Sequence, residues 1–335
     1  MTTSFDITVA NAEASFNCAG NDTVLRAGLR AGFGLAYECN TGACGSCKFD
    51  LLEGEVHDLF PEATGLRQKE RERGKRLACQ CVPLSPCRIK MHTGAQYVSA
   101  IRPARFPVRF VEWRQITLDI AVITFRGEPP AAFIPGQYAM LSLGEPRMTR
   151  AYSMSNTPND EGVWEFIIRE VAGGAVSPQF QSLESGAEIE LDGPYGVAYF
   201  RADAQRPVVG IAGGSGLAPV LSIMRGAAQA GGFTQDTFVF YGGRGPADIP
   251  DVLGMLDPND KRTRFFPAVS MPELTHGWTG DVGFIHEFLP RKLDRPLDEY
   301  EYYLAGPPPM IESAVRLLAA DHKVPMAQIH FDRFF

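Results

Sequence analysis

Cys39-Asn40-Thr41-Gly42-Ala43-Cys44-Gly45-Ser46-Cys47 carries three cysteines at C-x4-C-x2-C spacing, and Cys79 follows after a gap of 31 residues. Four thiolates so spaced can converge on the two irons of a [2Fe–2S] cluster. The small residues Gly42, Ala43, Gly45 and Ser46 let the chain wrap closely, leaving backbone N–H groups to donate to sulfur and moderate its negative charge. No Cys-x-His pair occurs, which excludes a Rieske centre. Structural zinc sites use paired short spacings, which an x4 gap and a solitary distant cysteine do not supply. Cys81 lies two residues beyond Cys79. On a strand both would face one way, so spacing alone does not choose the fourth ligand.

The remaining cysteines, Cys18 and Cys87, also lie early, and residues 88–335 contain none. An odd count in a long chain without an export signal argues against a disulfide framework. One small metal-bearing module joined to a cysteine-free remainder is the better reading. Charge divides the same way: residues 1–97 hold 11 basic and 11 acidic residues, so the whole net charge of −7 lies beyond them. At 335 residues the chain is expected to form two or three domains. Its acidity argues against a nucleic-acid partner. No run of eighteen apolar residues suggests a membrane span, and the start MTTSFDITVA lacks a basic, then apolar, leader. A cytoplasmic setting is expected.

Around the cysteine loop, Phe5 to Val9, Lys48 to Leu52 and Arg88 to Met91 read as strands, and Val24 to Ala31 as a short helix after Asn21-Asp22-Thr23, giving a small α+β unit over residues 1–97. Arg67 to Arg73 reads as a solvated helix. Residues 98–104 read as a linker ending near Pro103. Residues 105–202 read as all-β, with strands over Ile116 to Phe125, Tyr138 to Leu143, Trp164 to Ile168 and Glu188 to Leu191 and one helical piece, Ser177 to Leu183, which suggests a small antiparallel barrel. From 203 to 335 apolar runs (Val208 to Ala212, Thr237 to Tyr241, Tyr302 to Ala305) alternate with helical stretches (Leu217 to Ala230, Ile249 to Leu256, Met310 to His322). That rhythm predicts a doubly wound parallel α/β sheet.

Two motifs lie in these later regions. Arg150-Ala151-Tyr152-Ser153 follows Gly136-Gln137-Tyr138 by about a dozen residues within the predicted barrel. Gly213-Gly214-Ser215-Gly216-Leu217-Ala218-Pro219 sits between a predicted strand and helix, where glycines permit close approach to a pyrophosphate and the helix dipole favours its charge. It departs from G-x-G-x-x-G in carrying Pro219 at the last position.

In this order, after the cysteine loop, these motifs resemble the ferredoxin–NADP reductase superfamily fused to a plant-type ferredoxin. The resemblance covers nearly the whole chain. It implies a β-grasp ferredoxin domain, an antiparallel β-barrel that binds FAD, and an α/β nicotinamide-binding domain. Arg76-Leu77-Ala78-Cys79-Gln80 resembles the ferredoxin segment whose cysteine before glutamine is a ligand, so the resemblance makes Cys39, Cys44, Cys47 and Cys79 the ligands and leaves Cys18, Cys81 and Cys87 as buried thiols. Arg150 would pair with the FAD pyrophosphate, Tyr152 would pack on the isoalloxazine, and Ser153 would hydrogen-bond flavin N5 in the catalytic step. Gly174, Val176 and Ser177 would sit where a helix N-terminus meets the pyrophosphate. Gly213, Gly214, Ser215 and Gly216 would hold the nicotinamide nucleotide, with Arg244 beside its adenosine and Gly306-Pro307 on the nicotinamide side. The family commonly has cysteine where this chain has Ala305, which removes any thiol role there. The terminal Phe335 stands where an aromatic often covers the flavin.

The chain is thus similar to NADH-dependent reductases of bacterial multicomponent oxygenases. The loop Glu38-Cys39-Asn40 and the tail look nearest to toluene-4-monooxygenase and alkene or isoprene monooxygenase reductases. What this implies is hydride transfer from NADH to FAD and single-electron exit through the [2Fe–2S] cluster. The acceptor would be a Rieske-type ferredoxin or a di-iron hydroxylase component. The cofactors carry the chemistry, so none of the six histidines is assigned a catalytic role. A Rieske dioxygenase reductase would use the same parts. A redox sensor that does not turn over would have no need of both the Arg150–Ser153 set and the glycine loop. Arg244 as the only nearby cation, with Asp248 opposing a phosphate, points to NADH over NADPH. The run Arg67 to Arg76, six basic and two acidic residues, reads as a solvated face or as a steering patch for an acidic acceptor.

Overall fold

The computed structural model describes residues 3–12, 14–144, 148–171, 173–174 and 176–335. The chain divides into two compact units, Met1–Arg105 with Asp192–Val197, and Phe106–Leu191 with Ala198–Phe335.

In the first unit, the strands β1 (Ser4–Val9), β2 (Ala14–Ala19), β3 (Lys48–Glu53), β5 (Lys75–Leu77) and β7 (Cys87–Met91) form one sheet in the order β2-β1-β7-β3-β5. A second pair joins β4 (Val56–Asp58) to β6 (Cys81–Pro83). The alternation expected at Phe5 to Val9 is present, with Ile7 and Val9 fully buried. Helix α1 (Val24–Arg30) starts where Thr23 Oγ1 accepts from Arg26 N, and it buries Val24, Leu25, Ala27 and Leu29. Gly28 is needed there, since an added Cβ would stand 2.3 Å from Leu35 Cδ1. The expected solvated helix is the five-residue α2 (Gln68–Glu72), with no buried residue. Asp22 and Asp192, both buried, are each bridged by Arg30 and Arg105. Tyr195 Oη donates to Asp192 at 2.7 Å. Buried carboxylates persist because they are paired in this way.

The second unit begins with a curled antiparallel sheet in the order β11-β10-β13-β8-β9-β12. Its strands are β8 (Ala104–Gln115), β9 (Ile120–Arg126), β10 (Tyr138–Leu143), β11 (Met148–Ser153), β12 (Val163–Arg169) and β13 (Glu188–Tyr195), and α3 (Ser177–Gln181) packs Phe180 into its core. The expected strand Ile116 to Phe125 starts late: Ile116 and Thr117 donate to the Ile120 carbonyl, making residues 116–119 the turn of the β8–β9 hairpin.

A six-stranded parallel sheet follows, in the order β17-β16-β15-β14-β18-β19: β14 (Val208–Gly213), β15 (Thr237–Gly243), β16 (Thr263–Val269), β17 (Asp281–Val282), β18 (Glu301–Gly306) and β19 (Ile329–Arg333). The helices are α4 (Leu217–Gln229), α5 (Leu289–Lys292) and α6 (Pro308–Val315). The helix expected over Ile249 to Leu256 does not form. Only short 3-10 turns at Pro246–Asp248 and Leu253–Met255 occur, because Pro250 cannot supply the N–H that a helix interior needs. Strand β16 was not anticipated from the sequence, since Pro267 interrupts its apolar run. β17 pairs only with Ala268 and Val269, so the rest of β16 is an edge where proline is tolerated.

Candidate functional site

The cysteine loop folds against Ala63 to Leu66. Gly42 and Gly45 have φ of +87° and +78°, which only glycine adopts without strain. Gly65 is wedged between them: a Cβ there would lie 2.6 Å from Gly42 O and 2.7 Å from Gly45 N. Backbone donors converge on sulfur, Thr41 N and Cys44 N on Cys39 Sγ at 3.5 and 3.4 Å, and Ser46 N on Cys44 Sγ at 3.4 Å. The four sulfurs fall into two pairs. Cys47 Sγ lies 3.3 Å from Cys79 Sγ, and the Cys39 and Cys44 thiols hydrogen-bond one another. Donation from Cys44, then Thr41, holds the Cys39 thiol down at about 5, while Cys44, as the donor, is pushed up. Among the described residues no three ligating side chains gather as around a single ion. Two thiolate pairs within a shell of backbone N–H donors match a binuclear iron–sulfur core, so the residues fit the cluster.

Cys79 lies in a turn closed by Gln80 N donating to Leu77 O, so strand periodicity does not relate it to Cys81. Cys81 is on β6, and burial, with Asp58 nearby, pushes its thiol up to about 12. Burial, then Asp22, does the same to Cys18, and burial raises Cys87. All three suit inert thiols.

On β11, register places Arg150, Tyr152 and Ser153 opposite Leu141, Ala139 and Tyr138 of β10. The exposed Arg150 donates to Thr149 O at 2.9 Å and has no salt bridge to a described carboxylate. The Tyr152 ring is half-buried, edge-on to Phe180 at 5.4 Å, and Ser153 is buried. Val176 is buried ahead of the five-residue α3, and Ser177 Oγ accepts from Val171 N at 3.0 Å, closing the loop that contains Gly174. Ala175 lies outside the described residues. An exposed guanidinium without a described carboxylate partner, two residues from an aromatic ring on the same strand, fits an anionic, planar cofactor such as FAD.

At the end of β14, Gly214 has φ +59° and opens the 3-10 turn Gly214–Gly216 before α4. Gly216 serves packing first: a Cβ would lie 2.0 Å from Ala305 O. Gly213 and Gly306 also abut, with Met310 against both, so the glycine loop and the Gly306-Pro307 loop meet as backbone. Phe334 N donates to Gly306 O at 2.9 Å, tying the tail to that loop, while Phe335 is 63% exposed. Arg244 is bound by Asp248, which accepts from Nε at 3.0 Å and from Nη2 at 2.9 Å.

The 2Fe-2S iron-sulfur cluster binding domain family matches residues 7–84, the oxidoreductase FAD-binding domain family residues 107–200, and the oxidoreductase NAD-binding domain family residues 211–316. Ferredoxin–NAD(P)(+) reductase CarAd of Metapseudomonas resinovorans is 40% identical over 326 residues, covering 96% of this chain and 98% of its own. The chain belongs to the ferredoxin–NAD(P)(+) reductase components of multicomponent oxygenases. The ferredoxin–NAD(+) reductase component of the Xanthobacter autotrophicus alkene monooxygenase system is 35% identical, over 96% of this chain and 98% of its own. The solved ferredoxin reductase in carbazole 1,9a-dioxygenase superposes with a TM-score of 0.90 at 36% identity, covering 100% of this chain and 99% of that one. The reductase accordingly combines [2Fe–2S], FAD and NAD domains and transfers electrons from NAD(P)H. Among the described residues no helix is long and apolar enough to cross a membrane.

Several residues around these sites were not singled out from the sequence. Gly65 and Ala63 pack on the cluster loop, and Gln80 Nε2 reaches Cys79 Sγ at 3.6 Å. Arg169, on β12, lies next to the glycine loop, so Arg244 is not the only cation there. Only Gln80 had a usable signal, as the residue after Cys79 in the ferredoxin-like segment.

Proposed function

We propose that the reductase takes its electrons from NADH in preference to NADPH and passes them singly to an acidic protein of a soluble di-iron monooxygenase system. When bound, FAD accepts a hydride and the cluster exchanges one electron at a time, and the chain's part is to hold both groups and exclude competing reactions. We assign Cys39, Cys44, Cys47 and Cys79 to the cluster. Arg150, Tyr152 and Ser153 go to the flavin, with Gly174, Val176 and Ser177 at its pyrophosphate. Gly213 to Gly216 go to the nucleotide, and Gly306 and Pro307 to its nicotinamide side. The exposed Phe335, free of the core, is suited to cover a flavin face. The domains proposed are 1–97, 105–202 and 203–335, joined by 98–104. Seven free cysteines suit the cytosol.

The observation behind NADH is that Asp248 already occupies the Nε–Nη2 edge of Arg244, so that a 2′-phosphate dianion would meet a paired guanidinium and an opposing carboxylate. A higher kcat/KM for NADH than for NADPH is the expected result, and the reverse order refutes this part.

The proposed exit surface adjoins the segment that packs on the cluster loop. Leu59 and Phe60 are 52% and 47% exposed, and Leu59 N donates to Gln80 O beside Cys79. The adjoining basic run is partly neutralised, since Arg71 pairs with Asp58, Lys75 with Asp50, and Lys48 binds Glu70. That leaves the side chains of Arg67, Lys69 and Arg73 exposed and without a salt bridge to a described carboxylate. An apolar pair beside basic charge suits an acidic protein acceptor. Replacing Arg67, Lys69 and Arg73 with glutamine is expected to slow reduction of the natural acceptor about tenfold at low ionic strength. The difference should vanish at high salt, where charges are screened over ~8 Å or less, and ferricyanide reduction should be untouched. Wild-type rates with the acceptor at low salt would reduce the patch to a solvated face. The likeness to the carbazole 1,9a-dioxygenase ferredoxin reductase favours a second reading, service to a Rieske dioxygenase, with the same surface and a different acceptor.

A further inference from the structure

A closed set of charges stands beside the nucleotide loop. Asp119, in the β8–β9 turn, accepts from Arg169 Nε at 2.8 Å and Nη2 at 2.7 Å, and from Arg244 Nη2 at 3.4 Å. Asp248 holds the other edge of Arg244. Arg169 Nη1 would be 3.8 Å from a Cβ on Gly214, whose carbonyl accepts from Tyr241 Oη at 3.4 Å. Two guanidinium groups therefore face one carboxylate oxygen next to the glycine loop.

In a doubly wound sheet the residues just past the second strand read the ribose 2′ position, and an arginine there accommodates a 2′-phosphate. Arg244 occupies that place, immediately after β15. A phosphate dianion requires two or more converging donors, and Arg169 with Arg244 is such a pair except that Asp119 already lies between them.

We propose that Asp119 occupies the position of a 2′-phosphate between Arg169 and Arg244 and is thereby a specificity-determining residue against NADPH. The proposal rests on the NADH reading above. The local charge balance supports it: two guanidiniums and two carboxylates sum to zero, so an added dianion meets no net attraction. Removing the Asp119 carboxylate leaves one net positive charge and an open space between two arginines. The turn is held chiefly through the backbone, by Glu170 N donating to the Asp119 carbonyl at 2.7 Å, the side chain adding one long contact from Thr117 Oγ1 to Asp119 Oδ1 at 3.5 Å, which Asn can keep.

The test uses FAD-loaded, cluster-containing protein and equilibrium binding of 2′,5′-ADP, with 5′-AMP as the ligand lacking the 2′-phosphate. Asp119→Ala is expected to tighten 2′,5′-ADP by about tenfold or more, as a freed charge-assisted pair allows, with 5′-AMP little changed. The ratio of kcat/KM for NADPH to that for NADH should rise in step. Asp119→Asn, which keeps the shape and removes the charge, should move the same way by less and guards against a folding defect in the alanine variant. Unchanged 2′,5′-ADP affinity in both variants, or equal tightening of both ligands, overturns the proposal. A wild type that prefers NADPH sinks the NADH reading. A wild type that prefers NADH, with unresponsive variants, sinks only the role of Asp119.

Discussion

In a Cys47→Ser variant, NADH-dependent reduction of a one-electron protein acceptor falls to background while reduction of ferricyanide stays near the wild-type rate. Cys47 Sγ is fully enclosed and 3.3 Å from Cys79 Sγ, so its loss removes one ligand from the pair with least access to water or a substitute. A serine oxygen is a harder and more weakly bound donor for iron in a sulfide core. The flavin and nucleotide unit should remain intact, because its hydrophobic clusters draw on no residue before Phe106. Visible absorption separates the outcomes: the cluster bands disappear and the flavin bands persist. Equal loss of both activities would show that the units do not function independently.

Gly216→Ala should be the most damaging single methyl in the nicotinamide-binding region. Its Cβ would lie 2.0 Å from the Ala305 oxygen and 2.4 Å from the Ala305 carbonyl carbon. Both are backbone atoms of a central strand and cannot swing aside. Overpacking at such a point costs about 3 kcal/mol, a fall of about 6–12 °C in Tm for a unit of this size. Gly231→Ala, where nothing lies within 4 Å of the added atom, is the matched control and should change little. A Gly216→Ala protein as stable as the Gly231→Ala control would refute the account of this junction.

That junction illustrates what the sequence could and could not convey. The glycine run was legible as a strand-to-helix turn near a nucleotide, since its flanks are periodic. Its contact with Ala305, almost ninety residues away, was not, because no local pattern encodes which distant carbonyl a glycine must admit. The cysteine spacing points to a cluster, but only family likeness chooses Cys79 over Cys81; the turn over Leu77 to Gln80 shows why strand periodicity, which would make the two equivalent, does not apply there. Alternation exposed the strands Tyr138 to Leu143 and Glu188 to Leu191. It fails at β16, where Pro267 is tolerated because only Ala268 and Val269 pair on the side facing β17, and at Ile249 to Leu256, where apolar spacing suggests a helix that Pro250 prevents. The charges around Arg244 were half-read: Asp248 is four residues on and visible, whereas Asp119 and Arg169 arrive from the barrel by tertiary folding. For the same reason the basic run Arg67 to Arg76 looked stronger than it is, since Asp50 and Asp58 come from neighbouring strands.

Electrons from the nicotinamide should reach the cluster only through the flavin. This route is tested most directly by anaerobic stopped-flow mixing of the holoprotein, and of the same protein stripped of FAD but retaining its cluster, with NADH. In the holoprotein the flavin absorbance is expected to bleach first, with the cluster signal following, and the stripped protein is expected to leave its cluster oxidised. Reduction of the cluster at an undiminished rate without FAD would contradict this route.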